Sequence, residues 1–127
     1  MMEEIVHKNI LVAILIRSYT HGSHPVTSPK EALQVMTIKR EAGEKVAPHI
    51  HIPRKRATDQ LSECLVVQKG KIKVSLYGEE AKPFTVFEVK AGEALFIRGG
   101  GHSVEYLEPT EMIEFKNGPY EDDKKAL

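Results

Sequence analysis

The sequence has only one cysteine, no surplus of either charge and no long hydrophobic run. The lone Cys64 excludes an intrachain disulfide and indicates a reducing compartment. The 18 basic and 18 acidic residues balance, so no overall field favours DNA or an anionic membrane. The apolar run 10–16 is too short to cross a bilayer, and Glu3, Glu4 and Lys8 do not fit a signal peptide. We therefore expect a cytoplasmic protein without nucleic-acid or membrane partners.

The sequence also lacks a convincing helical periodicity of apolar residues. It contains instead several short apolar segments of the kind that form β-strands. At 127 residues, one domain with a sizeable core is expected. Turns rich in glycine and proline separate the apolar segments, which predicts an all-β sandwich or barrel. The segment 31–40 has helical propensity in its first half, but we interpret it as a strand, and 19–29 as a loop. The predicted strands are 9–18, 31–40, 65–68, 71–77, 84–90, 94–97, 102–107 and 112–116.

Two of the six histidines, His49 and His51, are separated by a single residue. Side chains two positions apart on a strand share a face, so an extended segment would direct both imidazoles into one space. Such a pair suits a divalent transition metal. The alternative is a chance His-x-His, and we interpret His7, His21 and His24 as ordinary surface or core residues.

Glu63 strengthens the metal interpretation, because it opens a predicted strand on the same face as Leu65 and Val67. If those two apolar residues point inward, the carboxylate does so too. Burying a carboxylate costs free energy unless a cation or strong hydrogen-bond donors compensate it. A metal held by the two histidines would be such a cation. The alternative places Glu63 at the rim, paired with a cation of the segment 54–56.

His102 is the fourth candidate ligand. It follows three glycines, 99–101, and shares a strand face with Val104 and Tyr106. Three imidazoles and one carboxylate leave open positions on six-coordinate iron, manganese, nickel or cobalt, whereas four-coordinate zinc would be saturated. The alternative is an interior histidine hydrogen-bonded to Tyr106.

These residues carry a resemblance to a known family. The stretch from Gly43 to Gly70 resembles the first cupin motif, and the stretch from Gly92 to His102 resembles the second. The resemblance implies a single cupin domain over 1–127, with a jelly-roll β-barrel (double-stranded β-helix) whose motifs lie within 31–116 and a charged tail at 117–127. The metal set that it implies is His49, His51, Glu63 and His102.

The chain departs from the cupin pattern at three places. Eleven residues, 52–62, separate the second histidine from the glutamate, where the family has only a few. Asp59 lies nearer but loses the register to the following glycine, so Glu63 is kept. Arg98 replaces the proline of the second motif, and Tyr106 replaces its terminal asparagine. The last two departures bear on loop shape and pocket lining.

The insertion between His51 and Glu63 carries three consecutive cations, Arg54, Lys55 and Arg56. Arginine can hold a phosphate or carboxylate through two parallel hydrogen bonds. We therefore expect Arg54 and Arg56 to help bind an anionic small molecule, with a solvated charged loop as the alternative.

The resemblance leads to three hypotheses about function. A metal-binding cupin would bind or transform a small polar, anionic or sugar-like molecule; as an enzyme it would be a metal-dependent isomerase or dioxygenase, with Tyr106 as candidate acid–base residue. A metal-free nucleotide-sugar epimerase would use His51 or His102 as base and Tyr106 as acid. The third hypothesis is a non-enzymatic sensor or binding module.

Two further expectations follow from the resemblance. Small cupins are often dimers, and the strand at 10–16 is expected to pair or swap across a homodimer interface. The segment 113–120 resembles the ending of small bacterial cupins found among sugar-processing genes, which favours a carbohydrate or nucleotide-sugar ligand.

Overall fold

The computed structural model describes residues 2–127, and this part of the chain is built from ten β-strands without a helix. The all-β prediction is therefore confirmed at the level of class. No helix long and apolar enough to span a bilayer occurs between residues 2 and 127. The strands are β1 (Met2–His7), β2 (Ile10–Ile16), β3 (Gly22–Pro25), β4 (Met36–Lys39), β5 (Glu63–Lys69), β6 (Lys71–Tyr77), β7 (Pro83–Lys90), β8 (Ala94–Ile97), β9 (Gly101–Tyr106) and β10 (Glu111–Lys116).

The strands form three antiparallel sheets. One has five strands in the order β1-β2-β8-β5-β10, one has three in the order β7-β6-β9, and β3 pairs with β4 alone. The sheets remain separate in their hydrogen bonding over the described range.

The main core lies between the five-stranded and the three-stranded sheet. Alternation along β6 buries Ile72, Val74 and Leu76 completely, while the residues between them stay partly exposed. These three side chains form one cluster with inward residues of the larger sheet, including Leu65 and Leu95. Face-to-face packing of two half-apolar sheets accounts for the alternating pattern.

The larger sheet has a second apolar face, which explains why β2 is apolar without alternation. Ala13 to Ile16 are all buried, because successive residues face opposite sides of the sheet. The outer cluster contains Ile16, and Val26, Leu33 and Val35 from the segment before β4 pack against it. Because β2 lies between β1 and β8, both of its edges are occupied. Pairing of 10–16 with a second copy at a free edge is therefore not available in this arrangement, and exchange of the strand across a homodimer interface stays a prediction.

Several boundaries differ from the predictions. The strand β1 was not predicted, β3 lies in the predicted loop 19–29, and the predicted strand 31–40 is reduced to Met36–Lys39. Residues 40–62 contain no strand, so the strand phase on which the shared direction of the two histidines depends is absent there. Pro48 and Pro53 lack the N–H that a central strand donates, and the segment places no buried side chain between 40 and 60.

Candidate functional site

Glu63 and His102 face each other although they come from different sheets. Glu63 opens β5, and its carboxylate Oε2 lies 3.4 Å from Nε2 of His102, the second residue of β9. The Glu63 side chain is only 12% exposed, as its phase with buried Leu65 predicts. His102 pairs in register with Leu76, which directs it to the inner side of the three-stranded sheet. Two of the four predicted ligands are therefore adjacent.

The buried Glu63 carboxyl lacks the full set of hydrogen-bond donors and cations that would offset the cost of its burial. Its Oε1 lies 3.9 Å from the Lys116 ammonium, while its buried Oε2 accepts no hydrogen bond from any described residue. Burial raises the pKa of Glu63 to about 6, and the neighbouring Glu114 carboxyl acts in the same direction. Burial also lowers the pKa of His102. The carboxylate is thus placed where a cation or a proton donor would be stabilising.

This pair lies in a cavity of about 980 Å³ between the ends of the two sheets. Glu114 and Lys116 from β10 line it with Glu63 and His102, as does the loop 99–101. Residues 123–127 close another side, which brings the charged tail to the site. The lining therefore combines carboxylates, ammonium groups and an imidazole, a composition suited to a polar ligand.

His49 and His51 lie apart from this cavity, on the exposed segment 40–62. Their rings meet edge to face with centroids 5.2 Å apart, and the Nδ1 of His49 is 2.9 Å from the carbonyl of Ala47. Between residues 2 and 127, no group of three or more histidine, cysteine, aspartate or glutamate side chains is arranged to hold a metal. The structure thus contains two separate pairs of the predicted ligands.

The segment that carries these histidines is tied down beside the cavity at its C-terminal end. The Gln60 amide and the Ser62 hydroxyl both donate to the carbonyl of Arg98, at 2.8 and 2.9 Å. The Asn117 amide donates to the Gln60 carbonyl and accepts from the Ser62 N–H. At the other end, Glu44 contacts the His21 ring at 3.0 Å. Both attachments leave the intervening residues exposed to solvent.

The predicted anion-binding arginines occupy the same exposed segment. Arg54 and Arg56 are not among the residues that line the cavity, and the Arg56 guanidinium donates to the carbonyl of Arg54 at 3.4 Å. The predicted alternative, in which Glu63 pairs with a cation of 54–56, is replaced by the contact with Lys116. The lysines that line the cavity, Lys116, Lys124 and Lys125, were missed by the sequence reasoning.

Tyr106 does not occupy the interior position that its strand phase predicts. It ends β9, an edge strand of the three-stranded sheet, and is 61% exposed. It is not among the residues that line the cavity with His102, so its role as an acid–base residue stays a prediction. Tyr77 lines the cavity instead and contacts the Ser103 hydroxyl at 3.0 Å. It follows Leu76 on the opposite face of β6, so no strand-phase signal pointed to it.

No protein-family model, curated protein or solved structure matches this chain.

Proposed function

We propose that this protein is a metal-binding cupin with a jelly-roll barrel, which binds or transforms a small polar, anionic or sugar-like molecule. The observation that carries the proposal is the buried Glu63 Oε2, without a hydrogen-bond donor and 3.4 Å from His102 Nε2 in a large cavity that several charged side chains line. A carboxylate and an imidazole are ligands that iron, manganese, nickel, cobalt and zinc accept.

The donor set fits such a metal in part. Glu63 and His102 would hold it from two rigid strands, and the cupin motifs nominate His49 and His51 as the remaining ligands. Those two histidines can reach the site only if the exposed segment moves relative to its anchor at Gln60. When bound, a metal would polarise an oxygen of the ligand, which fits isomerisation or dioxygenation as well as plain binding.

The chain's own residues would orient the ligand. Lys116, Lys124 and Lys125 offer ammonium donors to an anionic group, and Glu114 offers a carboxylate to a hydroxyl. Arg54 and Arg56 remain proposed anion ligands if the segment closes. Whether the protein catalyses a reaction or acts as a sensor would be decided by turnover of a bound ligand. A cytoplasmic location without nucleic-acid or membrane partners stays a prediction.

Metal analysis of matched variants tests the proposal. The wild type, reloaded with a single divalent metal and desalted, should retain metal, whereas Glu63→Gln and His102→Ala should lose it. His49→Ala should weaken retention by about tenfold or more if the segment contributes. His24→Ala, at a half-buried histidine outside the cavity, is the control and should retain metal. Full retention by Glu63→Gln and His102→Ala would contradict the proposal.

A metal-free cupin of the nucleotide-sugar epimerase kind is the second candidate. The observation in its favour is that Glu63 and His102 form an adjacent acid–base pair, while no third histidine, cysteine, aspartate or glutamate within residues 2–127 is arranged to complete a metal site with them. His102 would act as the base, and the exposure of Tyr106 leaves Glu63 as the nearest proton donor. Solvent deuterium incorporation into a nucleotide sugar by chelator-treated protein, abolished in His102→Ala, would favour this candidate over the first.

A further inference from the structure

The strand β10 is an open edge of the five-stranded sheet. It pairs with β5 on one side and ends the sheet on the other, so its outward N–H and C=O groups have no strand partner within residues 2–127. Ile113 and Phe115 on this strand are 47% and 52% exposed. An exposed apolar edge strand is a template for pairing with another chain.

The outer apolar face of the five-stranded sheet continues onto β10, but the residues that pack on this face elsewhere do not reach β10. Phe115 and Ile113 stand opposite Cys64 and Val66 of β5 in the ladder. Cys64 belongs to the outer cluster, which residues before β4 cover, whereas the side chains on β10 project beyond that cover. The uncovered strip therefore lies at the margin of an already buried face, where a neighbouring strand would extend it.

The other end of the same sheet is less suited to pairing. The strand β1 carries a register irregularity between Ile5 and Val6, in the middle of the strand. In β10 the irregularity lies between Glu111 and Met112, so the remainder of the strand is regular. Bulges twist an edge away from a partner, which leaves β10 as the edge with uninterrupted donors and acceptors.

We infer that β10 is the self-association surface of this protein, pairing antiparallel with β10 of a second copy about a two-fold axis at Phe115. A two-fold axis perpendicular to the sheet keeps each side chain on the same face of the sheet in both copies. Because directly opposed residues also share a face, the axis must pass between two copies of the same residue. With Phe115 at the axis, the two phenyl rings meet, and Glu114 stands opposite Lys116 of the partner subunit, twice by symmetry. With Glu114 at the axis, two carboxylates would stand directly opposite each other, which is destabilising.

Sedimentation velocity over a wide concentration range tests the edge. We expect the wild type to dimerise and Phe115→Glu to raise the dissociation constant by about 30-fold or more, as for a central apolar anchor. Val86→Glu is the matched control, because Val86 is 48% exposed on β7, which ends the other sheet. This control should dimerise like the wild type. A monomeric wild type, or Phe115→Glu dimerising as strongly, would overturn the inference.

Disulfide trapping tests the register. Directly opposed residues of an antiparallel pair have Cα atoms about 4.5–5.5 Å apart, within reach of a disulfide. Phe115→Cys must be made in a Cys64→Ala background, because Cys64 is its neighbour in the ladder and would compete. Mild oxidation should give a covalent dimer with Phe115→Cys and not with Val86→Cys in the same background. Failure of the first to cross-link while it sediments as a dimer would refute the two-fold at Phe115.

Discussion

The buried Glu63 carboxyl should make the metal-free protein lose stability as the pH rises. Its pKa of about 6 in the folded chain exceeds the ordinary 4.5, because burial and Glu114 disfavour the charged form. A group whose pKa is raised by folding contributes fully below 4.5, and the contribution is lost as the pH rises through about 6. At about 1.36 kcal/mol per pKa unit, the loss in the free energy of unfolding is about 2 kcal/mol.

Glu63→Gln isolates this effect, because the amide keeps the shape of the side chain and removes its titration. Urea unfolding of chelator-treated wild type and variant should be compared in steps from pH 4.5 to 7.5. Relative to Glu63→Gln, the wild type should lose about 2 kcal/mol over this range. His102 acts in the opposite direction, since burial lowers its pKa, but both proteins contain it.

A divalent metal supplies the matching control. Metal that binds the ionised carboxylate should raise the free energy of unfolding of the wild type at pH 7, by an amount that increases with the concentration of free metal. The free energy of unfolding of Glu63→Gln should not change. Unfolding free energies of wild type and variant that run parallel from pH 4.5 to 7.5 would refute the assigned environment of Glu63. A parallel result would also remove the observation on which the proposed metal site rests.

Two further predictions concern the scaffold that holds the site, and each is checked by urea unfolding. Gly70 and Gly92 share a positive φ of +88° and +89°, but a Cβ on Gly70 would lie under 3.0 Å from Thr110, whereas nothing lies within 4 Å of one on Gly92. Gly92→Ala should therefore cost about 1–2 kcal/mol from backbone strain, and Gly70→Ala about 1–3 kcal/mol more; equal losses would exclude the steric reason. Arg17→Ala should cost about 1–2 kcal/mol, because it removes the 2.9 Å partner of the buried Glu93 carboxylate, which keeps the Lys90 N–H as a donor, and the double variant with Glu93→Gln should recover part of that loss. Additive losses in the double variant would show that the two groups do not interact.

Two strands whose apolar residues match their buried faces were predicted from sequence with the correct bounds. β6 and β8 coincide with the predicted 71–77 and 94–97, because their apolar phase matches one or both buried faces. β1 was missed because its turn to β2 uses Lys8 and Asn9, both with positive φ, without the glycine that marks such turns. Residue propensity and apolar alternation thus identify strands that have a buried face. They miss β1, because the turn that follows it lacks the usual glycine.

The candidate site divides in the same way. Glu63 and His102 were found because strand phase predicts the direction of a side chain, and both occupy regular strands. For His49 and His51 the same rule was applied to a segment that forms no strand. Their spacing of two residues therefore does not predict where their side chains point. Lys116 was missed because its distance to Glu63 depends on the pairing of β5 with β10, which strand phase alone does not specify.

The separation of His49 and His51 from Glu63 and His102 can be weighed in energy terms, and the result bears on how a metal would be bound. His51 precedes the anchored Gln60 by nine positions, so an extended chain could span about 30 Å, and reach does not prevent it from meeting Glu63. Fixing those nine residues in a new conformation costs up to about 1–2 kcal/mol each, or about 9–18 kcal/mol together, a range that overlaps the roughly 10–16 kcal/mol of a complete structural zinc site. Recruitment of the segment by metal alone is therefore close to balanced. A ligand that also contacts Arg54 or Arg56 would favour recruitment of the segment, so we expect the chain to retain metal more tightly when an anionic ligand is present.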